Sequence, residues 1–336
     1  MKGTVDEEDL RGEQLRGWLE SETDLGGARM DPVFGDASAR RYFRVFRDER
    51  SWILMDAPPD SEDCRPFVEI AGFLRGGGVC VPKIHALDLE KGFMVLEDFG
   101  SLHLEDALDG GYDREGLYDL ALEELMLLAR MPATVTDRLP PYDRDWLQME
   151  LDIFHDWFLH GNTVERERDR RAFHGMTMGL IGGILEQPTV FVHRDFHCRN
   201  LLLLQDGGLG VIDFQGAFSG PLTYDLVSLL RDCYQDNSRK WVEKRALLQK
   251  ARLEDVLSME WPDEQFMKWM DWTGLQRHLK VLGLFRRLQL RDNKDRYLQY
   301  LPRVKGYAED VLCRHAELSK LRAFIESFET WKEVGK

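Results

Sequence analysis

The chain has 336 residues, 43% of them hydrophobic and 31% charged, with a formal net charge of −15. That length supports two subdomains with sizeable cores, and the hydrophobic share excludes a disordered chain. The acidic balance argues against a general nucleic-acid binder, which needs a basic face for the phosphate backbone.

The five cysteines (Cys64, Cys80, Cys198, Cys233, Cys313) show neither C-x-x-C pairing nor a metal-ligand rhythm, as expected of reduced thiols in a cytoplasmic protein. The first ten residues are acidic and no apolar run reaches the ~18 residues of a membrane span, so no membrane partner is expected. Residues 1–30 read as one amphipathic helix (Leu10, Leu15, Trp18, Leu19) ending at Gly26-Gly27. Strand signals follow at Val33-Phe34, residues 42–46 and residues 52–55. Between the first two lies a small-residue loop, G-D-A-S-A-R at 35–40, which suits an ordinary hairpin connection or backbone N–H contacts to phosphate. Phe67, Ile70, Ala71 and Leu74 predict a helix over 66–75, ended by Gly76-Gly77-Gly78. Residues 79–84 and 93–96 resume strand character. From Tyr112 the chain is mainly helical: Leu117, Leu120, Ala121, Leu125 and Leu128 form one stripe. Residues 144–160 are apolar on most sides, punctuated by Glu150, Asp152, His155 and Asp156. Further helices are expected at 225–230 and through 239–330, with a long one over 275–290.

The exception is residues 190–215. Val190-Phe191-Val192 stops at His193-Arg194-Asp195, and two apolar runs, 201–204 and 209–212, flank Gln205-Asp206-Gly207-Gly208. Asp-Gly-Gly between strand-like runs predicts a hairpin, because glycine accepts the positive φ of such turns. Closing it brings Asn200 and Asp213 to about one strand spacing, ~5 Å, with Asp195 five residues upstream. Two carboxylates and an amide oxygen form a hard-oxygen set suited to Mg²⁺, although a hairpin with a merely polar mouth fits the same geometry.

The full string H-R-D-F-H-C-R-N followed by D-F-Q resembles the catalytic and metal-binding loops of the protein-kinase-like fold, in the form used by aminoglycoside phosphotransferases and related small-molecule kinases. The resemblance implies an α+β, two-lobed fold: a small N-terminal antiparallel β lobe (1–100) and a larger, mostly helical lobe (101–336). It implies ATP and Mg²⁺ as cofactors, Asp195 as the base, and Asn200 and Asp213 as metal ligands. It assigns support of the loop to His193 and Asp225, with His197 either steadying the loop or touching substrate. The segment Leu96-Glu97-Asp98-Phe99-Gly100 would cross between lobes, with Glu97 and Phe99 beside adenine, and Ser38 would lie in the phosphate loop.

One departure stands out. The family places a lysine on the third strand to hold the phosphates, and this chain has Met55 there. Of Arg40, Arg41 and Arg44, the expected substitute is Arg41, with Glu69 to orient it. The strings G-D-A-S-A-R-R-Y-F-R, I-L-M-D-A-P-P, D-C-R-P-F, G-P-L-T-Y-D-L-V-S-L-L-R-D and G-L-Q-R-H-L-K-V-L-G are similar to the anomeric amino-sugar kinases of this family. That similarity implies phosphorylation of the C1 hydroxyl of N-acetylmuramate and N-acetylglucosamine in peptidoglycan recycling, with a small-molecule amino sugar as partner and a monomeric protein. An antibiotic phosphotransferase and a regulatory pseudokinase are the alternatives. Arg277, Lys280, Arg287 and Arg291 fall near one face of the long helix. There Arg277 and Lys280 are candidates for the substrate carboxylate, and Trp146, Trp157, Trp269 and Trp272 suit either a core or a sugar-stacking platform.

Overall fold

The computed structural model describes residues 7–33 and 40–335, with side chains of the first helix described from Leu10 onward. Ser38 and the rest of the loop over 35–39 lie outside the described residues. The chain divides into two compact units. One comprises residues up to Leu102 together with Leu202–Gln215; the other comprises His103–Leu201 and Gly216–Lys336.

The first unit is a five-stranded antiparallel sheet, β1 (Arg29–Val33), β2 (Arg41–Arg47), β3 (Arg50–Asp56), β4 (Ile84–Asp88) and β5 (Phe93–Glu97), in the order β1-β2-β3-β5-β4. Strand alternation sorts its side chains into two faces. Phe43, Val45, Trp52, Leu54, Phe93 and Val95 share one face and pack against Leu15, Trp18 and Leu19 of helix α1 (Glu7–Glu22). Leu15, Trp18 and Leu19 recur at i, i+3 and i+4, so one stripe of α1 is buried, whereas Leu10 lies off it and is 65% exposed. Helix α2 (Arg65–Gly76) buries Phe67, Ile70, Ala71 and Leu74 as their spacing predicts.

Three expectations change here. The chain leaves α1 at Glu22 and already forms β1 at Arg29, earlier than Val33. Residues 79–83 are not a strand; pairing begins at Ile84, where a register shift interrupts the ladder with β5. The hairpin of β7 (Leu201–Leu203) and β8 (Leu209–Val211) forms as expected, but most of it groups with the sheet rather than with the helices. Backbone bonds explain why: Val211 N–H donates to Cys80 O at 2.8 Å and Leu203 N–H to Leu102 O at 2.9 Å. Phe214 packs on Phe67 with ring centroids 4.8 Å apart. Gly210 is required, since a Cβ there would lie 2.3 Å from the Phe99 ring.

The second unit is helical around the 30-residue helix Asp263–Asp292, whose residues from Trp269 to Gly283 are buried almost without a break. The expected single helix over 144–160 is two elements: an α-helix, Arg144–Ile153, capped by Asp143, and a π-helical turn, Phe154–Leu159. The long helix crosses this junction closely, for a Cβ on Gly283 would sit 2.5 Å from Ile153 O and Phe154 N. A short strand, β6 (Thr189–Val192), pairs antiparallel with β9 (Phe218–Pro221), which leads into the fully buried helix Tyr224–Leu230. No described helix is long and apolar enough to cross a membrane.

Candidate active site

The loop after β6 is held from below by one carboxylate. Asp225, buried at the start of its helix, accepts the backbone N–H groups of His193 at 2.6 Å and Arg194 at 2.9 Å. Burial pushes the Asp225 carboxyl up to about 7, against the pull of those two donors. Asp232 does the same further along, accepting Cys198 N–H at 2.9 Å. Within the loop, Asn200 donates its side-chain amide N–H to the Asp195 carbonyl at 2.9 Å. That bond turns the Asn200 amide so that its oxygen is on the other side.

Asp195 is partly buried among cations. Burial raises its carboxyl, but Lys280, His197, Arg194 and Arg277 outweigh it and bring the group down to about 2. It is therefore ionised at neutral pH. His193 is buried, edge-on to Phe196 with centroids 5.7 Å apart, which fits loop support. His197 lies edge-on to Tyr234 at 5.4 Å and its Nδ1 is buried without a hydrogen-bond partner among the described residues.

Beneath the loop sits a polar network the sequence reading missed as a unit. Glu150, 1% exposed, pairs with Lys280 at 2.9 Å and Arg194 at 3.1 Å. It also accepts the Tyr142 hydroxyl and the Gln276 amide. Burial raises the Glu150 carboxyl, and the two cations overcome that, so the group is lowered overall. The only sequence signal was Glu150 as one of the polar residues that punctuate an otherwise apolar helical run. Lys280 thus has a carboxylate partner already, and also donates to the Tyr224 hydroxyl at 3.2 Å. Arg277 differs. It is 3% exposed, its Nη1 has no hydrogen-bond partner among the described residues, and its field reaches Tyr224, Cys233, Asp195 and Asp232. Arg287 is half-buried and Arg291 is exposed beside Asp292, so the four basic residues do not form one functional face. Among the tryptophans, Trp269 and Trp272 belong to the core. Trp146 packs on Phe218 and lies within 5.9 Å of the Arg194 guanidinium.

In the sheet-bearing unit, Asp213 ends the hairpin with φ at +64° and accepts the Gln215 amide at 2.7 Å. Arg194 is the corresponding left-handed residue of the loop after β6, at +81°. The carboxylate of Asp213 and the amide oxygen of Asn200 are the hard donors that Mg²⁺ takes, so the residue types fit that ion. Glu97 is exposed and its carboxylate accepts Lys83 N–H at 3.1 Å, while Phe99 lies against Gly210. The Glu97–Gly100 stretch is pinned by Arg44, which donates to Asp98 at 2.7 Å and to Gly100 O at 2.7 Å. Arg41 lies elsewhere than expected. Its side chain is on the α1 face of the sheet, where it and Arg11 both bind the fully buried Asp56.

Residues 30–254 match the model of the phosphotransferase enzyme family. The chain is 40% identical to the N-acetylmuramate/N-acetylglucosamine kinase of Pseudomonas aeruginosa, over 95% of this chain and 97% of that one. It is 37% identical to the kinase of the same name from Neisseria meningitidis, over 93% and 94% of the two chains. Among solved structures, the AMP-bound complex of a spectinomycin phosphotransferase is similar in fold, with a TM-score of 0.62 at 12% identity, covering 90% of this chain and 98% of that one.

Proposed function

The chain belongs to the phosphotransferase enzyme family, and on that premise we propose that it is an ATP-dependent amino-sugar kinase that phosphorylates the C1 hydroxyl of N-acetylmuramate and N-acetylglucosamine. The observation that carries the chemistry is Asp195, an ionised carboxylate brought down to about 2 by surrounding cations and set on a loop whose backbone is fixed by Asp225. The observation that carries the substrate is the similarity to relatives of that name along nearly the whole chain.

A carboxylate held so low is a weak base toward a free hydroxyl. Its first task is therefore orientation: it accepts the C1 O–H and aims the oxygen at the γ-phosphorus. As the new P–O bond forms and the bond to the β-phosphate oxygen breaks, the hydroxyl proton becomes acidic and passes to Asp195. The products are the sugar 1-phosphate and ADP. Asn200 and Asp213 would hold Mg²⁺, which when bound neutralises charge on the β- and γ-phosphates. Backbone groups of Glu97 and Phe99 would take adenine, and Ser38 the phosphates. His193 and Asp225 support the loop, and His197 steadies it or meets the sugar. Arg277 is the candidate for the lactyl carboxylate of N-acetylmuramate, because a buried guanidinium with an N–H unpartnered among the described residues favours an anion. Lys280 would act on substrate through Glu150 and Asp195 rather than by a separate contact. In this reading the protein is a cytoplasmic monomer serving peptidoglycan recycling, with neither nucleic acid nor membrane as partner.

The test is ATP consumption with N-acetylmuramate, N-acetylglucosamine, glucose and kanamycin. Turnover of the first two alone is expected, with phosphate on C1 by ³¹P–¹H NMR. Turnover of kanamycin, or of none, would overturn the reading.

A further inference from the structure

The sheet-bearing unit lacks the third-strand lysine, and the register of β2 against β3 decides which arginine takes its place. Tyr42 pairs with Met55 and Arg41 with Asp56. Directly paired residues share a face and successive ones alternate, so Arg41 points away from the side that Met55 occupies. The Arg41 side is covered by α1. There the fully buried Asp56 accepts Arg41 Nε at 2.8 Å and Arg11 Nε at 2.8 Å, and Arg11 also lies over the Phe93 ring at 4.8 Å. Arg41 is spent on docking a helix. Arg44 is also spent, on Asp98 and the Gly100 carbonyl.

Arg40 has a different setting. It follows directly on the small-residue loop at 35–39, and its guanidinium donates to the Tyr42 hydroxyl on the Met55 face. Its Nη2 is 2.9 Å from Glu62 Oε2, with the two side chains only 10% and 20% exposed. Tyr42 also feels the charge of Asp213, so the guanidinium and the candidate metal carboxylate act on one small region of this unit.

Resting on the kinase reading above, we propose that Arg40, braced by Glu62, is the cation that holds the nucleotide's phosphates in place of the lysine that Met55 replaces. Glu62 takes the part expected of Glu69. It comes from the segment just before α2 instead of from the helix itself, which suits the reach of a cation placed at the start of β2 rather than inside β3. A planar guanidinium serves carboxylate and phosphate through the same fork, so one edge can be aligned by Glu62 while the group addresses phosphate oxygens. Exchange of Lys for Met on the strand is then a relocation of the charge, not its loss.

The test compares the full-length wild type with Arg40→Met, Arg40→Lys, Arg41→Met and Glu62→Gln. It reads ADP and adenosine binding by calorimetry and KM for ATP and for sugar by kinetics. Arg40→Met should weaken ADP about tenfold or more and leave adenosine, which has no phosphates, within about twofold. Arg40→Lys should recover part of the ADP affinity, and Glu62→Gln should lose part of it. In kinetics KM for ATP should rise while KM for sugar holds. Arg41→Met should lower Tm more than it weakens ADP. If Arg40→Met binds ADP as the wild type does, or loses adenosine equally, the assignment is wrong. If the wild type binds neither ADP nor ATP, the kinase reading fails first, and that result is distinct from the other two.

Discussion

Replacing Glu150 by Gln removes one charge from a site that is 1% exposed and leaves the surrounding groups in place. Lys280, itself 8% exposed, then faces an amide where it had a carboxylate at 2.9 Å. Removing one partner of a buried ion pair typically costs about 3–5 kcal/mol, because the remaining charge keeps its desolvation penalty. The Arg194 side chain is 27% exposed, so water screens its share and adds at most about 1 kcal/mol. The expected loss is therefore about 3–5 kcal/mol, most of it from Lys280. In a chain of this size that corresponds to a Tm drop on the order of 10 °C. The control is the double variant Glu150→Gln/Lys280→Met, which removes both ions and should recover most of the loss, giving a large coupling energy in the cycle. Thermal and urea unfolding of the four proteins measures it. A single variant within about 1 kcal/mol of wild type, or losses that simply add, would refute the reasoning.

Three further outcomes follow from the same geometry. Asp195 has a folded value of about 2 against the ordinary 3.8, so its contribution to stability is complete above that ordinary value and disappears as pH falls through to about 2. Accordingly kcat should show no loss traceable to Asp195 between pH 5 and pH 8, while Asp195→Asn should cut kcat by roughly 10²–10⁴-fold with ADP affinity unchanged; a limb in that range that vanishes in the variant would contradict this. Arg277→Ala should raise KM for N-acetylmuramate far more than for N-acetylglucosamine, and equal effects in steady-state kinetics would reject carboxylate recognition there. Gly283→Ala puts a methyl group 2.5 Å from the Ile153 and Phe154 backbone, so unfolding should show a loss of about 1–3 kcal/mol or more; a neutral variant would mean the helices separate freely.

What could be read from the sequence was what depends on local order. The Asp-Gly-Gly turn placed the hairpin, the 3.6-residue period placed α2, and the H-R-D string placed Asp195, because turn chemistry, helix period and loop motif are all written in consecutive residues. Facing relations were not. The choice between Arg40 and Arg41 depends on which side of the sheet α1 covers, and α1 reaches that side through Arg11, 45 residues before Asp56. Residues 79–83 are apolar enough for a strand, yet Cys80 offers its carbonyl to Val211 of the hairpin and ladder pairing waits until Ile84. Strand β9 was hidden because Phe218–Pro221 contains a glycine and a proline, residues that local propensity discounts. The Glu150 network joins residues 142, 150, 194, 224, 276 and 280, each unremarkable in its own neighbourhood.

Two residues of the candidate site lie in the left-handed region without being glycine, Arg194 at +81° and Asp213 at +64°. Such backbone costs about 1–3 kcal/mol each, and glycine would remove that cost. At Arg194 the reason for keeping a side chain is visible. Its N–H is taken by Asp225, its guanidinium reaches Glu150 at 3.1 Å, and the same group lies 5.2 Å from the centre of the Phe218 ring. A glycine would relax the peptide and give up the last two anchors, leaving Glu150 with one cation and residue 194 held by its backbone N–H. The next residue is Asp195, so any freedom gained at 194 would become error in where that carboxylate points. Positioning of a reacting group is worth several kcal/mol of barrier. The strain is therefore smaller than what the tethering supplies, and the arginine rather than a glycine belongs before the candidate catalytic aspartate.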